Sequence, residues 1–347
     1  MNIKILYYCS NKTKIKSIEK FEFGKRHGES KFYYENGNLQ KVSYFHQDIP
    51  VFTHFEFHEN QSIKSKTKYF LGKKHGKYLE FYNNGIPKTK VFYRNGLKNG
   101  LEKTFYISGK LERKKTYKNG LPFGMDISFY ENDKLKKILF YNNKNNPQGY
   151  LKRFYENGNL RILYYFNENG QIHGDYFEYY HNGIIKTYKQ YSKNIIVGEI
   201  MKYYDNGHLK SKLPIYDEKK DGIFYEYDKK GNKTKSITYE NGKKHGPFIN
   251  YEFGKKFERL NYSKDLLDGF QYHFNRKGYH DFYIYFIKGH FLIHKNPKDK
   301  HASPCVVCYE KSKWRTICNH TLCLSCAKNS FHISKKSNCP YCRKQFK

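Results

Sequence analysis

The chain has 347 residues, with 65 Lys and Arg against 32 Asp and Glu, a formal charge of +33 and a mean hydropathy of −0.93. It contains no run of about 18 apolar residues, which excludes a transmembrane helix. The 36 Tyr and 28 Phe exclude a disordered chain, because disordered chains are poor in aromatics. Residues 1–9 are apolar but too short for a secretory signal, and Lys12, Lys14 and Lys16 follow closely. Seven of the 8 Cys fall between Cys305 and Cys342, leaving Cys9 alone. Clustered thiols without a leader predict metal thiolates in a reducing, intracellular compartment (cytoplasm or nucleus) rather than a secreted disulfide framework.

From about residue 20 to residue 290 the sequence repeats. A turn-like Asn-Gly or a variant recurs at Gly37, Gly85, Gly109, Gly158, Gly183, Gly207, Gly231, Gly254 and Gly278, with Gln61 and Asp133 at degenerate sites. A second glycine series, including Gly28, Gly76, Gly100, Gly124, Gly149, Gly174, Gly222, Gly246 and Gly269, runs out of phase. It often closes a box such as Gly72-Lys-Lys-His-Gly76, and it lapses around residues 49–52. About eleven units of about 24 residues result. Each reads as a β-hairpin: Lys77, Leu79 and Phe81 alternate with Tyr78, Glu80 and Tyr82 at the strand period of two, and Asn84-Gly85 and Asn95-Gly96 turn the chain. Aromatics recur four residues before the turn (Phe81, Phe105, Phe129) and eight after it (Tyr93, Tyr117, Tyr141). Stacked side by side, about 22 strands at about 4.8 Å form a ribbon on the order of 100 Å long. The expectation is an elongated, single-layer antiparallel β-meander over residues 1–294.

This pattern, cleanest in Tyr155-Glu-Asn-Gly-Asn-Leu160 and Tyr204-Asp-Asn-Gly-His-Leu209, resembles the MORN repeat, particularly its short variant. The resemblance implies protein scaffolding and, in some arrays, phospholipid binding. The repeat histidines His27, His75, His173 and His245 sit one per unit in turns, too far apart to share a metal. The cationic surface admits nucleic acid or an anionic membrane as partner, though no nucleic-acid fold signature is present and AT-rich codons alone favour Lys, Asn, Ile and Tyr.

Residues 295–304 read as a short polar linker. Beyond them runs Cys305-x2-Cys308-x9-Cys318-x-His320-x2-Cys323-x2-Cys326-x12-Cys339-x2-Cys342, eight ligands for two closed tetrahedral zinc sites. The half-sites can pair sequentially or interleave. So short a segment needs metal binding to supply much of its folding energy. Trp314 reads as a loop anchor.

The spacing over 305–347 resembles the RING finger, which implies a two-zinc cross-brace. One zinc would be held by Cys305, Cys308, Cys323 and Cys326, the other by Cys318, His320, Cys339 and Cys342. The resemblance further implies a ubiquitin-protein ligase that recruits a charged ubiquitin-conjugating enzyme and forms no covalent intermediate. The contacts carried over are Val307, Phe331 and Pro340 for the enzyme and Arg343 bridging enzyme and ubiquitin, while the array binds or scaffolds the protein substrate. A non-enzymatic scaffold using the finger for assembly is the alternative. Degenerate MORN-variant repeats joined to a terminal RING resemble proteins of large DNA viruses.

Overall fold

The computed structural model describes residues 1–9, 11–275, 277–295, 302–316, 318–334 and 338–345. The chain is mainly β, in two compact units, Met1–His173 and Gly174–Lys347. In the first, antiparallel strands from Asn2–Tyr8 to Leu160–Phe166 bond in sequence order, except that Gly100–Phe105 pairs with Pro87–Arg94 past the short strand Leu97–Lys98. The second repeats the plan from the pairing of Ile172–Tyr179 with Ile185–Ser192 to that of His280–Ile287 with His290–Lys295. Among the described residues no helix is long and apolar enough to cross a membrane.

Two kinds of turn join the strands. At Asn84-Gly85 only the glycine has positive φ, and its N–H donates to the Tyr82 carbonyl at 2.9 Å. The register shifts beside it, between Glu80 and Phe81. This is a type I turn closed by a glycine bulge, and Asn84 Oδ1 braces it by accepting the Ile86 N–H at 3.1 Å. Gln61 and Asp133 close the same turn without glycine, at φ 64° and 65°. At Asn95-Gly96 both residues have positive φ, which makes a two-residue primed turn.

The second glycine series has a purpose that sequence order conceals. Gly28, Gly76, Gly100, Gly124, Gly149 and Gly269 each stand directly opposite an aromatic eight residues after a turn: Phe45, Tyr93, Tyr117, Tyr141, Phe166 and Phe286. Each of these glycines takes the positive φ that a side chain resists. The lapsed unit is present as the hairpin Ile49–Phe57 and Ile63–Phe70, with Phe52 forced to φ 59° in the glycine position opposite Tyr69.

Neighbouring hairpins are tied by tyrosine hydroxyls. Tyr34, Tyr82, Tyr106 and Tyr130 donate to the carbonyls of Phe57, Phe105, Phe129 and Phe154, each at 2.8 Å and one repeat away. Tyr204 repeats the bond in the second unit, and His58 Nε2 contacts the Phe81 carbonyl where a tyrosine is missing. Many lysines lie over rings, as Lys74 does over Tyr78 and Tyr93 and Lys115 over Tyr117 and Tyr141. Their stems cover apolar surface while the ammonium groups face the ring electrons. Beneath them, Val42, Val91, Leu139 and Leu151 are buried with fully buried Asp126, which Arg113 grips through two bonds of 2.7 and 2.8 Å and Lys137 at 2.9 Å.

The second unit includes the cysteine-rich segment. Lys295 ends a strand, and Ser303–Pro304 pairs with Lys311–Ser312. Residues 296–301 of the expected linker lie outside the described residues. Tyr285, Ile287, Leu292 and Ile293 of the last hairpin share one core with Cys305, Leu322, Ala327 and Phe331. His294 and Arg315 exchange two backbone hydrogen bonds of 2.8 Å, and the Trp314 ring lies tilted, 5.6 Å from that of Phe270. Trp314 therefore anchors its loop to the hairpins.

Candidate metal centre

Each ligand pair sits where the local backbone can aim both side chains inward. Cys305 and Cys308 flank a tight turn in which the Tyr309 N–H donates to the Cys305 carbonyl at 3.0 Å. Cys323 precedes the helix Leu324–Ser334, and Cys326 lies in its first turn. The helix turns Leu324, Ala327 and Phe331 toward the last hairpin. Cys339 and Cys342 flank a second tight turn, closed by the Arg343 N–H on the Cys339 carbonyl at 2.8 Å.

The side chains converge as two groups of four. In each group, Cys305 with Cys308, Cys323 and Cys326, and Cys318 with His320, Cys339 and Cys342, the ligating atoms lie within 4.8 Å of one another. These are the crossed sets. The sulfurs of Cys308 and Cys323 are 3.7 Å apart, and those of Cys318 and Cys342 3.4 Å. A tetrahedron with bonds of about 2.3 Å to sulfur has edges of about 3.8 Å, so the cages are consistent with a tetrahedral metal such as zinc. His320 turns Nδ1 inward, 3.2 Å from Cys318 Sγ and 3.6 Å from Cys339 Sγ. Among the described residues no other His, Cys, Asp or Glu side chains converge in this way, the repeat histidines included.

The surroundings favour thiolates at selected positions. Burial pushes the Cys305 thiol up, but backbone N–H groups of Cys308, Cys323 and Val307 bring it down to about 6. Burial likewise opposes ionisation of Cys318, and the Thr316 hydroxyl and His320 outweigh it, again to about 6. Cys326 and Cys339 are raised, first by burial and then by the neighbouring sulfurs. Thiols packed this closely resist joint ionisation unless a cation offsets the charge, so the donor set fits a divalent metal that accepts soft ligands.

Thr316 escaped the sequence reading. It is fully buried, its hydroxyl lies 3.0 Å from Cys318 Sγ, and it accepts the His320 N–H at 3.1 Å, so it fixes the Cys318-x-His320 step. A lone Thr two residues before a ligand carries no sequence signal without the fold.

The expected enzyme contacts divide. Val307 is 46% exposed, and Pro340 and Arg343 are exposed. Phe331 is only 6% exposed, seven residues along the helix from Leu324 on its inward face, with its ring 5.2 Å from His290. It belongs to the core shared with the last hairpin. Among the described residues, the large exposed hydrophobics on this segment are Val307, Tyr309, Ile333 and Tyr341.

Comparison with known proteins identifies the repeats. Six segments, 26–47, 74–95, 98–119, 127–143, 147–168 and 196–217, match the MORN repeat variant. No curated protein matches the chain. Among solved structures, a mutant Photorhabdus luminescens Tc holotoxin pore is similar at 9% identity and TM-score 0.17, over 85% of this chain and 22% of that one. The TcdB2-TccC3-Cdc42 complex is similar at 8% identity and TM-score 0.16, over 86% and 20%. This chain thus spans about a fifth of either, and such scores are too low to identify a common fold.

Proposed function

We propose that residues 305–347 form a RING-type finger with two zinc ions, and that the protein is a ubiquitin-protein ligase whose repeats hold the substrate. The observation that carries this reading is the crossed grouping of the eight ligands. Bound zinc supplies cross-links between loops rather than a catalytic step, because all four positions of each site are filled by protein. The chain's own residues do the rest. Val307, in the loop of one ligand set, and Pro340, in the loop of the other, offer an apolar docking surface to a ubiquitin-conjugating enzyme. Exposed Arg343 offers a planar fork that can bridge enzyme and ubiquitin carbonyls. Every Cys outside the two groups is accounted for by Cys9, so the substrate lysine attacks a thioester carried by the recruited enzyme.

An ubiquitination assay with a panel of conjugating enzymes tests the proposal. Chains form with the parent, and V307A and R343A each lose about tenfold in rate while keeping their metal. Absence of chains with every enzyme, or variants indistinguishable from the parent, removes the ligase reading. One observation favours a second reading, a non-enzymatic scaffold using the finger for assembly: Phe331 is buried against the last hairpin of its own chain instead of being displayed to a conjugating enzyme.

A further inference from the structure

On one face of the first unit, three lysines stand in register. Lys103 lies directly opposite Lys90 on one neighbouring strand and directly opposite Lys114 on the other. Like charges facing each other across strands are destabilising. Among the described residues, none of these ammonium groups, nor that of Lys77 on the same face, has a carboxylate partner. Glu80 and Glu102 alternate to the other face, where Lys88 and Lys98 bond them. Glu112, two residues from Lys114, pairs with none of the four. A cleft of about 520 Å³ opens here, lined by Lys77, Lys90 and Lys103 beside apolar Leu79, Phe92 and Leu101, without a carboxylate. Phe92 stands opposite Lys77, and both Phe92 and Leu101 are partly exposed.

We propose that this face binds an acidic polypeptide segment carrying large apolar side chains. The repulsion within the lysine row is what an anionic partner would relieve, and departures from local pairing rules gather at functional sites. The lysines lie about one strand spacing apart, about 4.8 Å, and their long, flexible stems can reach carboxylates spaced at about 6.6 Å along one face of an extended chain. An aliphatic floor takes Leu or Phe side chains. Nucleic acid would call for open ring faces and guanidinium forks, and the patch offers one exposed ring and no arginine. Partly sunk Phe92 and Leu101 do not project as a bilayer anchor would. The site is independent of the zinc finger and stands with or without ligase activity.

The test uses the full chain and a labelled peptide of about twelve residues in which Glu and Leu share one face of an extended chain, each separated by Ser. K103E replaces two like-charge pairs with two opposite-charge pairs, so it is expected to raise the melting temperature while weakening the peptide by about tenfold or more. K144E, the same charge change on an exposed turn, is expected to leave peptide affinity unchanged. Equal loss in both variants, or K103E binding like the parent, overturns the site. So does tighter binding of a single-stranded oligonucleotide, or of phosphatidylserine vesicles, than of the peptide. A lower melting temperature for K103E overturns the repulsion on which the inference rests.

Discussion

Asp126 shows how much a single side chain contributes to the array. Its carboxylate is fully buried, burial works against its ionisation, and the bonds from Arg113 and Lys137 overcome that to hold it below the usual carboxylate range. Removing it leaves two cations facing each other, so D126N is expected to destabilise the first unit by about 3 kcal/mol. The folded carboxyl titrates below its unfolded value of about 3.9, so its contribution is complete above that pH. It is lost as the pH falls through the lowered folded value. Urea melts of parent and variant should therefore differ at pH 7, and the gap should shrink as the pH falls below the unfolded value. A gap that persists in acid would assign the effect to packing instead. Phe52 makes the opposite case. At φ 59° and 70% exposed, it sits in a glycine position, and F52G is expected to raise stability by about 1 kcal/mol in thermal melts.

At the scale of the element, the hairpins were legible in the sequence, because the period of two and the turn glycines report local backbone chemistry. The degenerate turns at Gln61 and Asp133 were legible for the same reason. The ties between hairpins were not: that Tyr106 donates to Phe129, or that Gly100 faces Tyr117, depends on register, which a single strand does not encode. The hydroxyl bond gives a clean experiment. Y106F keeps the ring and removes one donor, so it should cost about 1 kcal/mol in a chemical melt, with no change in the slope of the transition. An unchanged midpoint would mean that water replaces the bond without loss. The eight residues that form the two metal-capable groups were legible from their spacing. Thr316 and the burial of Phe331 were not, because both follow from the docking of one element on another.

At the scale of the second unit, the cysteine-rich segment is built into the last hairpins rather than tethered beyond them. Ile293 and Cys305 are both fully buried in one core, so order in one part supports order in the other. Chelating the metal is therefore expected to expose the backbone of residues 280–295 to hydrogen exchange, alongside residues 305–345, while residues 1–173 keep their protection. Protection at 280–295 that survives chelation would separate the two. The crossed arrangement is the claim on which the functional reading depends, and zinc X-ray absorption of C308A tests it most directly. Crossed sites predict that the variant loses the all-sulfur centre and keeps one zinc bound by three sulfurs and one nitrogen. One remaining zinc bound by four sulfurs would contradict it, because sequential pairing leaves that set intact.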